Sequence, residues 1–114
     1  MADWLPLIQW VMRFRDAGGG IDMGFAADTE TASFLGFDTL KGVERVEACP
    51  CVYTLLRWTS GQEGARREMR RRGEALRAEG FALEGSAMVC TLWNLRAEGC
   101  GMSYGECWYP LVKI

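Results

Sequence analysis

Trp10, Met12 and Phe14 alternate with Val11, Arg13 and Arg15, and Ile21, Met23 and Phe25 alternate with Asp22 and Gly24. Period-two runs on either side of Asp16-Ala17-Gly18-Gly19-Gly20 predict a β-hairpin with one face on a core. A rival reading is an N-terminal helix capped by Asp3, because Trp4, Leu7, Ile8, Val11 and Phe14 also fit a helical face. The hairpin is preferred, since the second run has no helical reading. Asp28-Thr29-Glu30-Thr31 then opens a short helix through Phe34 and Leu35, with Gly36 ending it. Val43 to Ala48 reads as extended. Beyond Pro50, Cys51 to Trp58 is rich in β-formers and reads as a buried strand.

The next pattern is helical. Ser60 stands three residues before Glu63, the spacing of a capping box in which each side chain satisfies the other's free backbone N–H. No proline interrupts Glu63 to Glu79, and Gly80 supplies a left-handed cap. On a helical wheel Ala65, Met69 and Leu76 form one apolar stripe with Gly73 and Gly80 beside it, which predicts close packing on a sheet. The remainder reads as strands: a short apolar Phe81 to Glu84, a turn at Gly85-Ser86, and a long run from Ala87 to Leu95. A turn follows at Glu98 to Gly101, then an extended Met102 to Ile114, with Gly105 as a bulge and Pro110 marking an edge position. Strands, a helix and more strands with hairpin-length connections predict an α+β fold, one small domain over residues 1–114 with a mostly antiparallel sheet packed by a main helix at about 61–79.

Composition agrees with that picture and removes chemistry from it. The chain has 114 residues, 49% hydrophobic and 25% charged, an ordinary globular balance. A domain of this length buries roughly two-thirds of its unfolded surface and folds without a staple. There is no histidine, so no Ser-His-Asp or Cys-His pair, no H-E-x-x-H zinc site and no histidine pH switch can form. An enzyme would be left with carboxylates, Cys, Tyr or the two lysines, Lys41 and Lys113. The apolar stretch Leu5 to Met12 holds Pro6 and Gln9 and is far short of the ~20 residues of a spanning helix. Five cysteines, an odd number without secretory context, predict a cytosolic protein with reduced thiols.

The net charge of -2 hides an asymmetry. Residues 1–50 carry four basic and eight acidic side chains, whereas residues 51–80 carry seven arginines and four glutamates. Arg66, Arg67, Arg70, Arg71, Arg72 and Arg77 fall within twelve residues of the predicted helix. The planar guanidinium suits bidentate contacts with phosphate or carboxylate and stacking on aromatic faces. Arg66, Arg70 and Arg77 share a narrow arc with Arg67 and Arg71 next to it, all read as turned away from the apolar stripe. The competing reading is a solvated face, with Glu63–Arg67, Glu68–Arg72 and Arg70–Glu74 as helix pairs and Arg66, Arg71 and Arg77 unmatched.

Other constellations are thinner. Cys49-Pro50-Cys51 with two of Cys90, Cys100 and Cys107 would make an irregular zinc site, lacking the paired C-x2-C knuckles such sites favour. A redox pair at Cys49 and Cys51 lacks the C-x-x-C helix start that lowers a thiol pKa. Asp16, Asp22, Asp28, Glu30 and Asp38 match no calcium loop, and neither Gly18-Gly19-Gly20 nor Gly99-Cys100-Gly101 matches a phosphate-binding fingerprint. Of five tryptophans, Trp58 and Trp93 read as core and Trp4 and Trp108 as partly exposed; Trp and Arg are the types most enriched at interface hot spots.

The expectation is a non-enzymatic binding or inhibitory module, with no cofactor, metal or catalytic set. It docks on a macromolecular partner, most readily a protein, through Arg66, Arg67, Arg70, Arg71, Arg77, Trp4 and Trp108. By association alone, its size fits a small bacterial or phage-type modulator of a larger machine. The runner-up is a nucleic-acid-binding domain using the arginine face, which the acidic first half opposes at a distance. A small carboxylate- or thiol-dependent enzyme comes third.

Overall fold

The computed structural model describes residues 8–15, 21–46, 49–97 and 100–112. Trp4, Asp16, the three-glycine turn, Ala48 and the Glu98–Gly99 turn lie outside them, as do the last two residues. Five strands make one antiparallel sheet: β1 (Ile8–Arg15), β2 (Ile21–Ala27), β3 (Cys51–Thr59), β4 (Ser86–Ala97) and β5 (Cys100–Pro110), in the order β2-β1-β4-β5-β3. Among the described residues two α-helices accompany them, α1 (Thr29–Phe34) and α2 (Gly61–Ala78), with a single 3-10 turn at Phe37–Thr39. The fold is α+β, a small domain with one main helix on one face of the sheet.

The first alternation forms the expected hairpin strands, with Phe14 opposite Ile21 and Met12 opposite Met23, and the helical rival is excluded over residues 8–15, its beginning at Asp3 and Trp4 lying outside the described residues. Asp28 caps α1 by accepting the Thr31 N–H at 2.7 Å, and Gly36 ends it in the left-handed region. The core lies between the sheet and α2: Met12 and Phe14 from β1, Leu56 and Trp58 from β3, Ala87 and Val89 from β4, and Cys107 and Tyr109 from β5 face Ala65, Met69 and Leu76. The Tyr109 hydroxyl donates to the Met69 carbonyl at 2.6 Å. Gly73 lies over Tyr109, where an added Cβ would stand 3.4 Å from the ring. The predicted stripe with glycine in it is therefore the packing face of α2.

Several expectations are corrected. Residues 43–46 form no strand. β3 is an edge strand rather than a buried one, because only Leu56 and Trp58 lie under α2 and the other residues are half-buried or exposed. The capping box does not form: Ser60 is left-handed (φ 65°) and its side chain caps nothing. Ser60 and Gly61, both at positive φ, reverse the chain sharply from β3 onto the sheet. That reversal presses Gly64 so close to the Thr59 carbonyl that a Cβ would collide with it. The helix ends as predicted, Gly80 N–H bonding Arg77 C=O and Phe81 N–H bonding Leu76 C=O, a Schellman motif.

Phe81 to Glu84 is not a strand; a single bridge joins Leu83 to Leu111, with Glu84 N–H on Pro110 C=O and Val112 N–H on Ala82 C=O. Pro110 does not mark an edge, since β5 lies between β4 and β3. It is the last residue of β5, past the Met88–Trp108 pair where the β4 ladder stops, so its missing N–H costs nothing. The bulge is on β4, between Thr91 and Trp93, not at Gly105. Gly105 serves close approach: a Cβ there would stand 3.0 Å from two atoms of the Trp58 ring and 2.8 Å from the Cys90 carbonyl oxygen.

Candidate docking surfaces

Two surfaces stand out, and they lie on opposite faces of the sheet. The first is the arginine arc of α2. Arg66 is half-buried, and Arg67, Arg70, Arg71 and Arg77 are exposed. They do not all turn away from the core. The Arg70 guanidinium carbon sits 5.9 Å over the centre of the buried Phe14 ring, and Arg77 borders a shallow notch lined by Phe14, Gly73, Leu83 and Tyr109. The expected helix pairs are also rearranged. Glu68 accepts from Arg71 at 2.9 Å, one turn position earlier than Arg72, and Arg77 is engaged as well. Arg66, Arg67, Arg70 and Arg72 form no ion pair with a described residue.

The second surface is the face that α2 leaves uncovered. Side chains alternate along a strand and directly opposite residues share a face, so the register places its residues in rows. Tyr53, Trp108, Met88 and Arg13 form one row, Leu55, Glu106, Cys90 and Val11 the next, and Arg57, Tyr104 and Trp93 a third. Leu95 and Met102 follow. Tyr53 packs against Trp108 with ring centres 5.6 Å apart, and its hydroxyl donates to Glu106 at 3.0 Å. Loss of water and that carboxylate both push the phenol pKa up, which keeps it a donor. At the β1 side Arg13 holds Glu44 at 2.7 Å and Asp22 at 3.3 Å, so the apolar part of this face is the β4-β5-β3 portion.

The bulge decides what that portion presents. Ala87, Val89 and Thr91 point to the helix side; one extra residue, Leu92, shifts the register, and Trp93 and Leu95 emerge on the opposite side beside Tyr104 and Met102. Trp93 is 66% exposed, which overturns its reading as core, whereas Trp58 is buried as expected. Trp108 is half-buried on the uncovered face, away from the arginines it was grouped with. Trp4 lies outside the described residues.

The thiols and acids stay apart. Cys90 and Cys107 are buried, and burial raises both pKa values, Cys107 to about 12. Cys49 and Cys51 stand with sulfurs 3.8 Å apart, and Cys51 is pushed up to about 11 by desolvation and its neighbour, the reverse of an activated thiol. No three Cys, Asp or Glu side chains converge among the described residues. Asp22 is spent on Arg13 and Arg15, and Asp28 on the cap of α1. No described helix is long and apolar enough to cross a membrane. Comparison of the chain with models of protein families, with curated proteins and with solved structures finds no match.

The pattern of the sequence missed Trp93, Leu95, Tyr53, Leu55 and Tyr104 as surface candidates. Apolar positions 87, 89, 93 and 95 stay in phase across Leu92, so nothing in the alternation marks the slip.

Proposed function

We propose that the chain is a non-enzymatic docking or inhibitory module that binds a protein partner through the uncovered β4-β5-β3 face. The observation that carries this reading is the display of Trp93, Leu95, Tyr104, Leu55 and Tyr53 together on one side of a sheet. Contiguous exposed apolar area of this kind marks interaction sites on soluble domains, and aromatic anchors dominate interface energetics. Nucleic-acid binding on α2 is the second reading, favoured by the arginines that lack carboxylate partners.

The test is capture from native extract with wild type, a Trp93→Ser/Leu95→Ser variant and an Arg66→Glu/Arg70→Glu/Arg77→Glu variant, beside a low-salt DNA and RNA shift. A stoichiometric protein retained by wild type and the arginine variant, and lost with the Trp93/Leu95 variant, supports the reading. A salt-sensitive nucleic-acid shift abolished by the arginine variant overturns it in favour of the second.

A further inference from the structure

β3 ends the sheet, and no described residue pairs with its outer side. Pro50 C=O accepts the Leu111 N–H on the inner, β5 side. Antiparallel alternation therefore turns the N–H and C=O groups of Cys51, Tyr53, Leu55, Arg57 and Thr59 outward. Proteins blunt such an edge with lysine, proline, a bulge or a short strand. β3 uses none of these: it runs nine residues, pairs with β5 in unbroken register, and holds a single charge, Arg57.

We propose that β3 is a homodimerisation edge, two copies pairing β3 with β3 antiparallel about Leu55 to form one continuous sheet. A two-fold axis makes the contact self-complementary. Centring on Leu55 pairs all nine residues, sets Leu55 on its counterpart, and places each Arg57 opposite the other copy's Tyr53. Arg57 forms no ion pair with a described residue. Across the seam it meets an aromatic ring whose hydroxyl is held by Glu106, so a cation faces a π surface backed by a carboxylate, twice per dimer. A register centred on Arg57 would oppose the two cations instead. The Arg70–Phe14 contact holds Arg70 over β1, away from the seam. The uncovered aromatic face would be doubled, but the seam needs no partner protein.

Sedimentation or light scattering over a concentration series tests it. Wild type should show twice the 12.8 kDa chain mass. Arg57→Glu should weaken association at least about tenfold. Leu55→Pro should abolish it while keeping the fold, because the lost N–H is an outward one; circular dichroism and urea unfolding check the fold. If Leu55→Pro does not fold, Arg57→Glu, an exposed change, decides. A wild type that stays monomeric at its highest soluble concentration overturns the inference, and so does a dimer of undiminished affinity in Arg57→Glu or a folded Leu55→Pro dimer. Failure to capture a partner protein leaves this result untouched.

Discussion

Cys107 is wholly buried between β5 and α2, and there the cost of exposing a thiolate to apolar surroundings outweighs the help of Tyr109 and Arg72, lifting its pKa from 9.0 to about 12. An acid whose folded pKa is raised contributes its stability in full below the unfolded pKa and loses it as pH climbs through the folded one. Between pH 9 and 12 the unfolded chain has released this proton and the folded chain still binds it. Stability therefore falls through this group by at most about 1.4 kcal/mol per pH unit. Cys107→Ala should remove that slope, whatever it costs in packing. Urea unfolding of wild type and variant from about pH 8 to 11 measures the difference, and parallel slopes would refute it. Burial of Cys90 was legible from its place in the β-forming run Ala87 to Leu95, whereas that of Cys107, which follows Gly105 and Glu106, was not. The pairing of Cys49 with Cys51 at 3.8 Å was legible from spacing, but the raised pKa was not, since it depends on what surrounds the sulfur.

At the scale of elements, the chain's periodicity located the first hairpin, α1, α2 and the β4–β5 pair, because each carries its own local signal: alternation, a cap or an apolar stripe. The start of α2 was misread for a physical reason. A capping box presumes an extended Ser60, and the tight passage from β3 onto the helix face requires Ser60 and Gly61 to be left-handed. Ser60 holds a conformation that costs an L-residue roughly 1–2 kcal/mol and gains no cap bond from its side chain. Ser60→Gly should therefore stabilise the protein by about 0.5–1 kcal/mol, where a true capping serine would lose a few tenths. Gly80→Ala at φ 103° should destabilise by about 1 kcal/mol or more. Thermal or urea melts of the two variants should move in opposite directions.

At the scale of the whole molecule, strand order and the faces of the sheet are long-range facts that no local pattern carries. Cys51 to Trp58 looks buried because its residues are β-formers, yet its place at the end of β2-β1-β4-β5-β3 leaves Tyr53 and Leu55 in solvent. Trp58 and Trp93 look alike in sequence, each in an apolar β run. The Leu92 bulge separates them, leaving Trp58 5% exposed under α2 and Trp93 66% exposed on the other side. Truncation should reveal the difference as energy. Trp58→Ala empties a filled site over Gly105 and should cost about 3–5 kcal/mol. Trp93→Ala removes a ring that the fold does not enclose and should stay within about 0.5 kcal/mol of wild type. Urea midpoints of the two variants provide the measurement. A large loss for Trp93→Ala would return that ring to the core and dismantle the docking face; a small one leaves an aromatic side chain that stability alone does not explain, available for a partner.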